Sequence, residues 1–348
     1  MRITDRIIEI PNYLKDGGSY NDVVIFTRMS MRRNVSDYYF PNKMTDDERE
    51  EFRKNITEYL ENKKLFPVHY KLKDLSFEER GILVERFILN ERLEAKPQDA
   101  FLMLNNEIDS GLILNYEDHL IFFNLFPGLE VNQNFENLVS SFYIISKEFK
   151  ICIDEQFGYL TSSPFYTGTG IILEAFLHLP GISITNRFKE IVFDATEKGF
   201  IIYPYFEEKG SASGSIFVIR NKFTLKYSEE EIMEYFKKFV ENIIMIEYRE
   251  RKYIMENAKK EIEDRIWRAY GVLMFAKLLM FDEFLNLFSA FKLGLNYGII
   301  KDANIDFINK MIIFTQKRHL KYIDMRNNLT EDEKRALIVQ ANIGGKNV

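Results

Sequence analysis

The chain has 348 residues, 46% of them hydrophobic and 29% charged, with a formal net charge of −6. That length and balance allow a sizeable core in two domains, or in one large domain with a smaller one appended, and exclude disorder as the main state. The acidic balance, with no long run of like charge, argues against nucleic acid as a partner.

The N-terminal stretch MRITDRIIEIPNYL is broken by Asp5, Arg6, Glu9 and Pro11, so it reads as neither a signal peptide nor a membrane span. From Asp22 the residues DVVIFTR form an expected buried strand that runs on toward Arg33 and places Arg28, Ser30 and Arg32 on one face. Capping boxes at Thr45/Glu48 and Ser76/Glu79 open two helices; the first buries Phe52, Ile56, Tyr59 and Leu60, the second Ile82, Leu83 and Phe87. Strands are expected over Ala100–Leu104, Gly111–Asn115 and His119–Phe126. Between the last two, Glu117, Asp118 and His119 bring two carboxylates beside an imidazole, a set suited to a base, a guanidinium clamp or a metal ligand, or to a solvated turn.

A helix follows over Phe135–Phe149, with Leu138, Val139, Phe142 and Ile145 inward. Cys152, the single cysteine, excludes an intramolecular disulfide and a cysteine-based zinc site, which fits a reducing cytoplasm, and reads as a small buried strand residue. The stretch Asp154–Thr185 has a turn-rich middle with Pro164 and Gly168-Thr169-Gly170, then an apolar run to Leu179 that reads as a helix stopped by Pro180. Such a loop opening a helix is either ligand-facing or a tight turn into the core.

Beyond an amphipathic segment at Phe188–Thr196, strands Phe200–Phe206 and Ser215–Arg220 enclose a Gly/Ser-rich loop. Hairpins outnumber strand-helix alternations, so the expected class is α+β with a large, mostly antiparallel sheet flanked by helices. A capping box at Ser228/Glu231 starts a proline-free helical region to about Leu279, and Glu283–Phe291, Asn304–Phe314 and Thr330–Ala341 also read as helices. A boundary in the charged stretch Glu247–Lys252 divides the chain into residues 1–250 and an all-helical unit, 251–348, with a face suited to dimerisation or to a partner.

The pieces DVVIFTRMSMRRN, NYEDHL, FGYLTSSP, GTG, HLPG, GSIFVIRN and EDRIWRAYGVL, in this order and spacing, resemble the ATP:guanidino phosphotransferases, specifically the bacterial protein-arginine kinases. The resemblance implies a catalytic domain followed by a helical dimerisation domain, and transfer of a phosphoryl group from Mg-ATP to protein arginine. That chemistry needs arginines around the triphosphate and a carboxylate that orients the guanidinium.

Against the family's SSRIRLARN, this chain reads FTRMSMRRN: Arg28 and Arg33 are kept and Ser30 stands where a phosphate-facing arginine is usual, with Arg32 as a possible replacement. Ile121, Ile172 and Tyr203 occupy further arginine positions, Phe87 a nucleotide-side histidine, Ser163 a cysteine and Ser211 an acidic substrate-binding residue, while Glu117 keeps the catalytic carboxylate. Arg220 and Lys209 are possible further contributors. A C-terminal phosphoarginine-binding motif persists only as Glu331, Asp332, Arg335 and Ala336, with Glu331 reversing the leading charge. With those cations lost, the resemblance implies a pseudokinase; its expected place, from the single cysteine and the interrupted N-terminus, is the cytoplasm, and no metal site is expected. Its expected partners are an arginine-kinase activator, an active arginine kinase or the Clp machinery; the alternative is a divergent but active phosphotransferase.

Overall fold

The computed structural model describes residues 3–6, 8–15, 17–208, 211–301, 309–323 and 328–343, with only the backbone at 208 and 211. Three capping boxes start helices where the sequence places them: α1 (Asp46–Asn62) after Thr45, α2 (Phe77–Glu85) after Ser76, and a long helix over Glu229–Asn257 after Ser228. In each, the hydroxyl accepts from the amide three residues on and the glutamate reaches back, an arrangement worth about 1 kcal/mol.

The scaffold is one eight-stranded sheet in which every neighbouring pair is antiparallel. In chain order its strands are β1 (Val24–Arg33), β2 (Val68–Lys71), β3 (Phe101–Leu104), β4 (Ser110–Leu114), β5 (Leu120–Phe126), β8 (Ile171–His178), β9 (Phe200–Pro204) and β12 (Ile216–Asn221). The spatial order is β2-β3-β4-β5-β1-β8-β12-β9. Two small hairpins, β6 (Ile153–Asp154) with β7 (Gly158–Tyr159) and β10 (Glu207–Glu208) with β11 (Ser211–Ala212), lie outside it. The class is α+β, as the hairpin-rich sequence implies.

Each sheet face carries its own core. On one, Met29, Met31 and Leu173 pack with α1, α4 (Val131–Ser146), α6 (Phe188–Glu197) and the long helix, now α7. On the other, Phe26, Phe176 and Val218 pack with α2, α3 (Glu91–Ala95), α8 (Lys259–Phe275) and α9 (Phe281–Asn296). The short α5 (Pro180–Ile184) follows β8, and α10 (Met311–Phe314), α11 (Lys317–Ile323) and α12 (Glu331–Ile343) complete the helical end. No described helix is long and apolar enough to cross a membrane.

The apolar run after Gly170 is a strand, β8, not the expected helix. Its residues are buried from both sides, Leu173 in one core and Phe176 in the other, so the alternation that marks a half-exposed strand is absent from the sequence. Two smaller expectations also change. Phe87 lies beyond the end of α2 with φ +60°, a left-handed backbone unusual for an aromatic residue. Cys152 is only half-buried and precedes β6 rather than sitting inside a strand. Of the segment expected as a helix over Asn304–Phe314, residues 304–308 fall outside the described ones.

The charged stretch Glu247–Lys252 is not a solvated linker. Helix α7 runs through it and ends before Ala258, and Glu247, Glu250 and Arg251 are buried. The Glu247 carboxylate accepts from the Gly181 and Ile182 amides at the start of α5 (2.8 and 2.9 Å) and from Arg251 Nε (2.7 Å). Arg251 in turn donates to Asp22 (2.9 Å), just ahead of β1. Buried charges persist where every partner is supplied.

Candidate functional site

Strand alternation turns Arg28, Ser30 and Arg32 of β1, Ile172 and Glu174 of β8, Tyr203 of β9 and Arg220 of β12 into the floor of one cleft of about 660 Å³. Its rim is Asn90, Glu91, Arg92, Glu117 and Tyr166, and its far wall includes Phe281 of α9 and Gln316, so the helical end contributes to it. The apolar end is a packed aromatic group: Phe176 lies 4.1 Å from Phe26 and 5.1 Å from Phe87, and Tyr205 lies 5.1 Å from Phe87, between ring centroids. Burial pushes the Tyr203 hydroxyl up to about 12, so it stays protonated at the edge of the floor.

The cations of this cleft are already engaged. Arg28 Nη1 donates to Glu174 Oε2 at 2.9 Å, and Glu174 is the cross-strand partner of both Arg28 and Arg220. Burial, which would lower the Arg220 pKa, is outweighed by Glu174 and Tyr166, and the guanidinium sits above its ordinary value. Arg32 Nη1 donates to Glu117 Oε2 at 2.8 Å and to the buried Asp118 at 3.2 Å, with its guanidinium 3.8 Å from the Tyr166 ring centre. Arg92 takes the other Glu117 oxygen at 3.0 Å. Four arginines (Arg28, Arg32, Arg92 and Arg220) thus line the cleft against three glutamates (Glu91, Glu117 and Glu174), with Asp118 beneath.

A magnesium-bound triphosphate needs an excess of fixed positive charge facing it. Glu174 at the centre of the floor and apolar Ile172 beside Ser30 do not fit that group. Among the described residues no set of three or more His, Cys, Asp or Glu is placed to hold a metal ion.

Several expected site residues lie elsewhere. Arg33 points through the sheet to the opposite face, where it is buried, donates to Glu229 (3.0 Å) and Thr169 O (2.7 Å), and stacks 3.5 Å from the Tyr159 ring centre. The reason is the two-residue period of β1, which sets Arg33 against Arg32. Ile121 pairs across from Arg32 but is buried in the core beneath the cleft. His119 also faces away: Nδ1 accepts from the Val35 amide (3.1 Å), Nε2 lies 2.8 Å from Tyr39 O, and burial pushes its pKa down to about 4. Asp118 accepts from Asn34 and from the Ser162 amide, both at 2.7 Å, and so ties loops together.

Gly170 serves the backbone rather than an anion: with φ +64°, a Cβ there would stand 2.8 Å from the Arg32 carbonyl oxygen. Ser163 precedes a short 3-10 turn, and its carbonyl accepts from Thr161 Oγ1 (2.7 Å). Ser211 lies in β11 with only its backbone described, and Lys209 is outside the described residues.

At the C-terminal motif, Arg335 is buried and spent on structure, donating to Thr315 O (2.9 Å), Leu279 O (2.6 Å) and Asp332 Oδ1 (2.6 Å). Glu331 pairs instead with Lys317 at 3.2 Å, and Ala336 is buried. The geometry also brings in residues the sequence reading passed over, namely Glu174, Arg92, Tyr166, Phe281 and Gln316. Only Glu174 carried a local signal, as the single charge in the apolar run IILEAFLH.

Residues 48–250 match the profile of the ATP:guanido phosphotransferase C-terminal catalytic domain, and residues 259–346 that of the protein-arginine kinase McsB C-terminal domain. The chain is 30% identical over 311 residues to the protein-arginine kinase of Bacillus cereus (strain AH187), covering 88% of each chain. It is 29% identical over 336 residues to that of Brevibacillus brevis, covering 94% of each. Among solved structures it is similar in fold to the duplicated taurocyamine kinase of Schistosoma mansoni with bound transition-state-analogue components (TM-score 0.60, 20% identity), covering 72% of this chain and 37% of that duplicated one. Lombricine kinase is similar too (TM-score 0.55, 20% identity, 69% and 70% covered). Two consecutive profiles, the first ending at residue 250 and the second beginning at residue 259, and relatives matched along most of their length, place the chain in the ATP:guanido phosphotransferase family, on its protein-arginine kinase branch.

Proposed function

We propose that this protein-arginine-kinase-like chain is a pseudokinase, a binding or regulatory protein that keeps the kinase scaffold and has lost phosphoryl transfer. The observation that carries the reading is Glu174, whose carboxylate sits 2.9 Å from Arg28 in the middle of the floor that a triphosphate would need. Ser30, Ile172 and Tyr203 leave the same floor short of cations. Removing one preorganised donor typically lowers turnover by roughly 10²- to 10³-fold, and several such losses leave little turnover even though they do not simply add.

On this reading the chain acts in the cytoplasm, in phosphoarginine-linked protein quality control. It would meet an arginine-kinase activator, an active arginine kinase or the Clp machinery, and its residues 251–348 would serve as a dimerisation or partner-binding unit. Calorimetric titration with Mg-ATP, paired with mass spectrometry for phosphoarginine on protein substrates, tests it. Absence of both signals is expected, and micromolar nucleotide binding with arginine phosphorylation overturns it.

One observation favours a divergent but active phosphotransferase. Among the described residues the Nε–H groups of Arg28, Arg32 and Arg220 are buried at the cleft without a hydrogen-bond partner, as they would be if a bound anion normally met them. On that reading Glu117 remains the catalytic carboxylate and Mg-ATP the cofactor. Kinase activity indifferent to Arg28→Ala and Glu117→Gln would rule it out.

A further inference from the structure

On the sheet face opposite the cleft, a second pocket of about 530 Å³ opens between the end of α6, the turn at residues 221–227 and the first half of α7. We propose that it is a docking site for an acidic peptide carrying an aromatic anchor. Its floor is the parallel stack of Phe200 on Phe239, with centroids 4.4 Å apart and planes 8° from parallel. One wall is the edge-on pair Tyr227 and Tyr235 at 5.3 Å. The other is Phe223, which is half exposed together with Tyr235 and the neighbouring Leu225, an apolar surface that folding alone leaves uncovered. Aromatic walls around a recess of this size suit a single inserted ring.

The charge around the recess selects the flanks of that ring. Lys198 and Lys238 line it, and Lys222 and Lys226 stand over its aromatic wall, with their Nζ atoms 5.2 Å from the Phe223 ring centre and 5.5 Å from that of Tyr227. Among the described residues Lys198 and Lys238 pair with carboxylates one turn away, Asp194 of α6 and Glu234 of α7, at the exposed surface where such pairs exchange readily. Among the described residues Glu197 is the single carboxylate in the lining. Ammonium groups set around an apolar recess favour carboxylates on either side of the anchor, and these would steer the encounter and fix its register.

The test is fluorescence anisotropy on the full-length chain with labelled synthetic peptides. Each peptide has a central Phe, Tyr, Trp or Leu flanked by glutamates, and matched controls carry lysine flanks or a central alanine. At least one aromatic-centred acidic peptide is expected to bind saturably, at least roughly tenfold tighter than its lysine and alanine controls. Phe223→Ser and Lys238→Glu, both at exposed positions, are each expected to weaken it by a similar factor while leaving the circular dichroism spectrum and melting temperature unchanged. Binding by none of the peptides, equal binding of the lysine controls, or indifference to Phe223→Ser overturns the proposal. So does concentration-dependent dimerisation in sedimentation velocity that Phe223→Ser abolishes, because it would assign this face to a second copy of the chain.

Discussion

Glu174 and Arg28 are cross-strand neighbours on β8 and β1, and their 2.9 Å ion pair crosses the middle of the cleft floor. Arg220 flanks Glu174 on β12, so one carboxylate sits between two guanidinium groups that would otherwise face a ligand. Removing the carboxylate should return the floor to positive charge. Glu174→Ser is expected to raise the association constant for Mg-ATP at least roughly tenfold over the parent chain in calorimetric titration. A variant as indifferent to nucleotide as the parent would show that the missing arginines, rather than this glutamate, set the limit.

The two arginines on Glu117 differ in burial, and their removal should differ in cost. Arg32 has a side chain only 12% exposed and also bonds the buried Asp118, whereas the Arg92 side chain is 69% exposed. In urea denaturation Arg32→Ala is expected to cost about 2–4 kcal/mol, because a buried carboxylate loses a charged partner. Arg92→Ala is expected to cost less than about 1 kcal/mol.

Arg335 should behave as a structural residue. Its bonds to Thr315 O, Leu279 O and Asp332 hold the start of α12 against the ends of two other segments. Arg335→Ala is expected to lower stability by about 2–4 kcal/mol in the same assay. Added phosphoarginine, in contrast, should leave the melting temperature of the parent chain where it was, since the Arg335 guanidinium of this motif is already spent on those three bonds.

Acid should destabilise the fold through its buried histidines. Burial holds His119 down to about 4 and pushes His178 and His319 well below the ordinary histidine range. The unfolded chain takes up protons near pH 6.5 while the folded chain resists, so stability is lost as pH falls from about 6.5 toward 4. For His119 alone the loss is roughly 3 kcal/mol across that window. Glu85, raised to about 7 by burial, works in the opposite sense over an overlapping range. Thermal melts between pH 4 and 7 should therefore show a drop toward acid that is shallower in His119→Gln than in the parent.

Local chemistry was the readable part of this fold. Thr45, Ser76 and Ser228 mark helix starts because a capping box is contained within four residues. The two-residue period of β1 puts Arg28, Ser30 and Arg32 on one face, and the same rule, followed one residue further, sends Arg33 to the other. What could not be read was whatever depended on the third dimension. Strand β8 looks like a helix until both of its faces are seen to adjoin a core, and the meaning of Glu174 depends on which residues lie one strand away. Phe281 and Gln316 are distant in sequence from everything else in the cleft, and nothing local signals that they belong to it.

The clasp formed by Glu247, Arg251 and Asp22 bears on how the chain comes apart. It joins α7 to the start of α5 and to the approach to β1, while Phe284 and Leu285 of α9 share a core with Phe26 and Phe176 of the sheet. A division drawn from family profiles near residue 250 therefore marks no weak seam in the folded chain. Heat or denaturant should melt it in one cooperative transition, with calorimetric and van't Hoff enthalpies in agreement, rather than releasing the helical end first.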